Sequence, residues 1–256
     1  MVGRNNSVIT HFKEINPNLI HVKCICHSIQ LCSSYALRVL PQNVEYMVSE
    51  TYCWFSNSTA RQDEYKQLYS TIEVGEEPLK ILKLCVTRWL SIAPCIDRIL
   101  DQYDVLKLHF RLAAENERYY KAQLLFDMFN DRVNKLYMLF LQPFLRNLNR
   151  VKKLFQSDKA SPVKLHDELM KLYTSVLQNV VRPGFVFPNW TSISNFDVSN
   201  QANHIPIQAA HFGAPFMIAL TTLNLEQNAV NEVKRRCFSY LVELLVKMKK
   251  TPSLKY

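Results

Sequence analysis

The sequence predicts a mainly α fold with a small α/β remnant near its start. Three observations carry this: helical apolar spacing recurs from about residue 28 to residue 250; only one or two short runs look like strands; and the chain holds just four glycines. So few glycines disfavour a turn-rich all-β architecture or a phosphate-cradling loop, and no GxGxxG or GxxxxGK[ST] pattern occurs.

Residues 4–15 place Val8, Ile9, Phe12 and Ile15 at helical spacing, and Pro17 ends that segment. Leu19 to Cys24 is a short, branched apolar run and reads as a buried strand. A lone strand cannot satisfy its own backbone groups, so it needs a neighbour; Leu79 to Cys85 is the best candidate within the chain. After His27, the residues Ile29, Cys32, Ala36 and Leu40 mark one helix face that stops at Pro41. Val44, Met47, Val48, Thr51 and Phe55 form the next stripe. The polar stretch Arg61 to Tyr69 follows, with Tyr65, Leu68 and Ile72 as its apolar side, and Gly75 and Pro78 punctuate it. Ile92, Ile96 and Ile99 share a face after Thr87-Arg88-Trp89. Long helical patterns then cover about 101–117, 119–141, 144–156 and 163–181. Residues 182–213 read as an irregular, aromatic-anchored connection, and a last helix covers about 226–250 with Val230, Val233, Cys237, Tyr240, Leu241 and Leu244 inward.

With 256 residues and 48% apolar composition, the chain can bury a sizeable core. Its longest apolar runs, such as Leu136 to Leu141, fall far short of the roughly 20 residues a membrane span needs, so no membrane partner is expected. The start lacks the layout of a secretion signal. Thirty-one basic residues against 22 acidic ones give a net charge of +9, which draws polyanions, nucleic acid above all. Seven cysteines, an odd number without a signal, fit free thiols in the nucleus or cytoplasm.

Cys24, Cys26 and His27 are ligand types that zinc takes, yet a closed site needs four, and no second ligand pair at zinc spacing follows. Zinc is therefore not expected there. Arg146, Arg150 and Lys153 fall at i, i+4 and i+7 on one helix face, with Lys152 adjacent; Lys234-Arg235-Arg236 and Lys247, Lys249 and Lys250 crowd the end. Such faces can bind phosphates, or simply be solvated. Trp54 and Trp190 read as core or loop anchors. No nucleophile elbow is present.

Three spaced features carry a family resemblance: Met1-Val2-Gly3 with Asn5-Asn6-Ser7-Val8, Cys24-x-x-His27 at a strand-to-helix junction, and Thr87-Arg88-Trp89 opening a helix. Together they resemble the central part of hAT-superfamily transposases across about residues 1–110. The resemblance implies a partial RNase H-like core at residues 1–27 joined to a large helical insertion domain at 28–256. It also implies DNA contact by Trp89, stacking on an unpaired base, and by Arg88 on a phosphate, and it puts Cys24 and His27 beside the active site. The intact family core holds divalent metal between three carboxylates. Its two aspartates would fall before Met1, and none of Glu226, Glu232 and Glu243 can be matched to its glutamate. The expectation is a fragment without catalytic residues or cofactor of its own, nuclear, binding DNA or a protein partner or forming a homo-oligomer. The rival expectations are a subunit of an active transposase whose carboxylates lie elsewhere, and a helical protein-interaction module.

Overall fold

The computed structural model describes residues 7–19, 24–85, 89–117, 119–156 and 161–250. Among them the fold is mainly helical. The helices are α1 (Val8–Ile15), α2 (Ile25–Leu37), α3 (Asn43–Ser56), α4 (Thr59–Ile72), α5 (Ile92–Asp101), α6 (Tyr103–Glu117), α7 (Tyr120–Asn130), α8 (Arg132–Phe155), α9 (Pro162–Leu177), α10 (Trp190–Asn195), α11 (Ala214–Thr222) and α12 (Gln227–Lys250). A 3-10 turn at Trp89–Ser91 leads into α5.

Most of the predicted apolar faces are buried; the exceptions include α1, Ile72 of α4, which is exposed, and Val230 of α12, which is half-buried. Ile29, Cys32, Ala36 and Leu40 go inward from α2 and the turn after it, and Val44, Met47, Val48, Thr51 and Phe55 from α3. Ile92, Ile96 and Ile99 do so from α5, and Val233, Cys237, Tyr240, Leu241 and Leu244 from α12. Burying such stripes is what fixes helices in a globular chain, since isolated segments of this length are marginal in water.

α8 is the spine. It touches α2, α9, α11 and α12, and also α3, α5 and α7. Its inward positions include Leu136, Tyr137, Phe140, Leu141, Leu145, Leu148 and Val151. Around it α2 packs on α12, while α3, α4, α6 and α7 pack among themselves.

Two boundaries differ from the sequence pattern. The expected helix at 119–141 is interrupted at Asp131, whose carboxylate caps the next helix by accepting from the Val133 N–H at 2.9 Å. The expected break before residue 144 is absent, because α8 runs through Pro143. A proline forfeits one helical hydrogen bond and crowds the preceding turn; here its ring is packed against Gly213, in front of α11. The short helix α11 lies where no element was expected.

The strand expectation also changes. Among the described residues there is no strand, and the sole β-type pairing is a bridge between Val181 and His204. Residues 20–23, the heart of the expected first strand, lie outside the described residues. Residues 79–85 run without regular structure, and side chains take up several of their backbone groups. The Leu79 carbonyl accepts from Nε2 of Gln102 at 2.9 Å, and the Cys85 N–H donates to Oγ of Ser91 at 3.0 Å. Ile81 and Leu84 reach the core from this segment.

α1 stands apart. Ser7 and Thr10 close a reciprocal capping box at its start, yet none of its residues is buried. Val8, Phe12 and Ile15 are 50%, 55% and 81% exposed.

Candidate nucleic-acid interface

The start of α2, the 3-10 turn and the C-terminal half of α8 meet in space, although more than fifty residues separate each from the next in sequence. α2 begins at Ile25, directly after Cys24, so the boundary expected at residue 27 falls inside its first turn. No side chain caps this helix start, which leaves the positive end of its dipole without a built-in counter-group. The Cys26 thiol donates to the Lys152 carbonyl at 3.5 Å and so fastens α2 to the last turns of α8. Burial, and then the neighbouring Cys24 thiol, push the Cys26 thiol up from its ordinary pKa, keeping it protonated as a donor. Cys24 and His27 are exposed on the outer side.

The 3-10 turn is held from the other direction. Nδ2 of Asn149 on α8 donates to the Leu90 carbonyl at 2.9 Å, and Leu90 itself is buried. Asn149 shares its face of α8 with Gln142 and Arg146, both of which donate to Oδ1 of Asp97 on α5, at 2.9 and 2.8 Å. This polar ladder fixes where the turn sits relative to the basic end of α8.

The expected contact residues are thus sorted by their partners. Arg146 is tied to Asp97. Arg150 reaches Glu168 on α9 at 2.6 Å, and Glu168 also takes Lys171 at 3.0 Å; these two cations hold the Glu168 carboxyl below its usual range. Among the described residues Lys153 has no acidic partner and is exposed, and half-buried Lys152 likewise has none. Trp89 opens the turn, while Arg88 and the stacking role expected of the Trp89 side chain lie outside what is described.

The basic end of α12 is more self-contained. Glu232 accepts from both Arg235 and Arg236, which pull its pKa down to about 2. Lys247 pairs with Glu243 at 3.0 Å, and Lys249 donates to the Phe196 carbonyl at 2.6 Å. Exposed ion pairs of this kind add little stability, but they lower the field available to a polyanion.

The three-carboxylate set implied by the resemblance has no counterpart among the described residues. No three His, Cys, Asp or Glu side chains converge there as metal ligands do, Cys24, Cys26 and His27 included. No helix is long and apolar enough to cross a membrane among the described residues. Sequence reasoning did not single out Asn149, Asp97 or Glu168. Asn149 lies three residues after Arg146 and could have been read as part of that face, whereas the two acids are brought in only by tertiary packing.

Compared with known proteins, the chain matches no family model, no curated protein and no solved structure.

Proposed function

We propose that this protein is a hAT transposase-like helical scaffold that holds DNA by its phosphates and performs no strand-transfer chemistry of its own. The observation that carries the reading is the tie between Cys26 and Lys152. Together with the Asn149–Leu90 contact, it brings the Cys24-x-x-His27 motif and the Trp89 turn close to the stretch of α8 that carries Lys152 and Lys153, which have no acidic partner among the described residues. An uncapped helix start beside unpaired ammonium groups suits an anionic backbone, and the overall excess of positive charge supplies long-range attraction.

Titrating the protein with duplex and single-stranded DNA over a range of salt concentrations tests this. Affinity should fall steeply with salt, and the double variant Lys152→Ala/Lys153→Ala should lower the log–log slope by about 1–2. Unchanged affinity and slope in that variant would remove the reading, as would metal-dependent nicking by the purified protein.

A second reading, a protein-interaction module, is favoured by α1, whose apolar stripe is displayed rather than packed. It takes precedence if the protein shows no DNA affinity at low salt while Phe12→Asp abolishes a protein association that the parent chain makes.

A further inference from the structure

A cleft of about 420 Å³ lies between α3, α4 and the irregular segment before the 3-10 turn, well inside the size range of small-molecule sites. None of its lining residues belongs to α2 or α8. Phe55 and Tyr65, both almost wholly buried, form its aromatic floor, their ring centroids 5.0 Å apart and tilted by 44°. Lys66 from α4 and Lys80 from the irregular segment line it as well. Among the described residues neither has an acidic partner within 4 Å. Gln62 has its amide nitrogen committed to the Phe55 carbonyl at 2.7 Å, which turns its own oxygen into an available acceptor.

We propose that this cleft binds a planar aromatic ring carrying a phosphate, the chemistry of a nucleotide. The floor offers two rings for packing against a flat heterocycle. The Gln62 oxygen can accept from a ring or exocyclic N–H, which a bare hydrocarbon ring does not supply. The two ammonium groups, brought from separate segments, can close on one phosphate as point charges. A neutral ring would leave both lysines idle, and inorganic phosphate would leave the aromatic floor uncovered. Both features therefore argue for a ligand that carries ring and anion together. The same chemistry is presented by a free mononucleotide and by the phosphorylated end of a nucleic-acid strand.

Calorimetric titrations with adenosine monophosphate, adenosine, inorganic phosphate and a short single strand bearing a terminal phosphate decide the matter. The monophosphate or the strand should bind at least about tenfold more tightly than adenosine or phosphate alone. The variant Lys66→Ala/Lys80→Ala should weaken that binding by at least about tenfold; both side chains are exposed, so its melting curve should match the parent's. Binding by the monophosphate identifies a free nucleotide as the source, and binding by the strand alone, weakened by Lys66→Ala/Lys80→Ala and dependent on its terminal phosphate, identifies a strand end. Failure of both to bind at millimolar concentration, or equal binding by parent and variant, overturns the proposal. Because Lys152 and Lys153 do not line the cleft, Lys152→Ala/Lys153→Ala should leave binding of the monophosphate, and the loss that Lys66→Ala/Lys80→Ala causes, unchanged, which separates this site from the DNA reading.

Discussion

The indole N–H of Trp54 donates to Nε2 of His109 across 3.0 Å, and both side chains are buried, under Phe55, Tyr65 and Phe110. Because Trp can only donate, Nε2 must be the unprotonated nitrogen, and His109 is the neutral tautomer with its proton on Nδ1. Burial, and then the Arg61 charge stacked 3.6 Å over the Trp54 ring, push its pKa from 6.5 down to about 4.

Stability should therefore fall on acidification. Between pH 6.5 and about 4 the unfolded chain takes a proton at residue 109 that the folded protein refuses. Stability contributed by the neutral ring is complete above pH 6.5 and is lost as pH falls towards 4, by roughly 3 kcal/mol in total. Urea midpoints measured across this window should show the slope. His109→Phe should remove most of it while costing about 1–3 kcal/mol at neutral pH, because the Trp54 N–H loses its acceptor.

Gly213 should resist substitution. Its φ is +94°, and a Cβ there would stand 2.9 Å from Cγ of Pro143 in α8. Gly213→Ala should destabilise by about 1–3 kcal/mol. Gly75→Ala makes the comparison, since Gly75 has φ +80° but open space around it, and should cost less. Thermal melts of both variants measure the steric part of the difference.

Phe140 is the centre of an aromatic cluster formed with Phe144, Phe212, Phe216 and Tyr240, at centroid distances of 5.0 to 6.3 Å. Phe140→Ala should cost about 3–5 kcal/mol in denaturant unfolding, the range for a truncated buried aromatic. Phe140→Leu, which keeps much of the volume, should cost distinctly less.

Arg146 and Arg150 should matter less to DNA than the two lysines beside them. Each guanidinium must leave a carboxylate, Asp97 or Glu168, before it can serve a phosphate. Arg146→Ala/Arg150→Ala should therefore change the salt slope of DNA binding by less than Lys152→Ala/Lys153→Ala does. Parallel titrations of the two double variants give the comparison.

Helix identity was legible wherever a face repeats. Ile29, Cys32 and Ala36, or Ile92, Ile96 and Ile99, announce their burial by spacing alone. Helix limits were less so. Asp131 is an ordinary helix-face acid until its carboxylate meets the Val133 N–H, and Pro143 reads as a stop unless the packing of Gly213 is known. Residues 79–85 alternate like a strand, but their hydrogen bonds go to Gln102 and Ser91, partners that spacing does not reveal. The basic face of α8 was visible as a row of cations. Which of them remain unpaired depends on α5 and α9, so that division belongs to the tertiary structure.

The packing of α2 against α12 has a consequence for how the chain is made. Ile29, Cys32 and Ala36 lie on α2, but α12, which packs on that helix, is translated some two hundred residues later. At about 5–20 residues per second, that oily strip waits roughly ten seconds or longer for its mate. A nascent polypeptide of this design is exposed to aggregation throughout that interval, and truncation before α12 would make the exposure permanent.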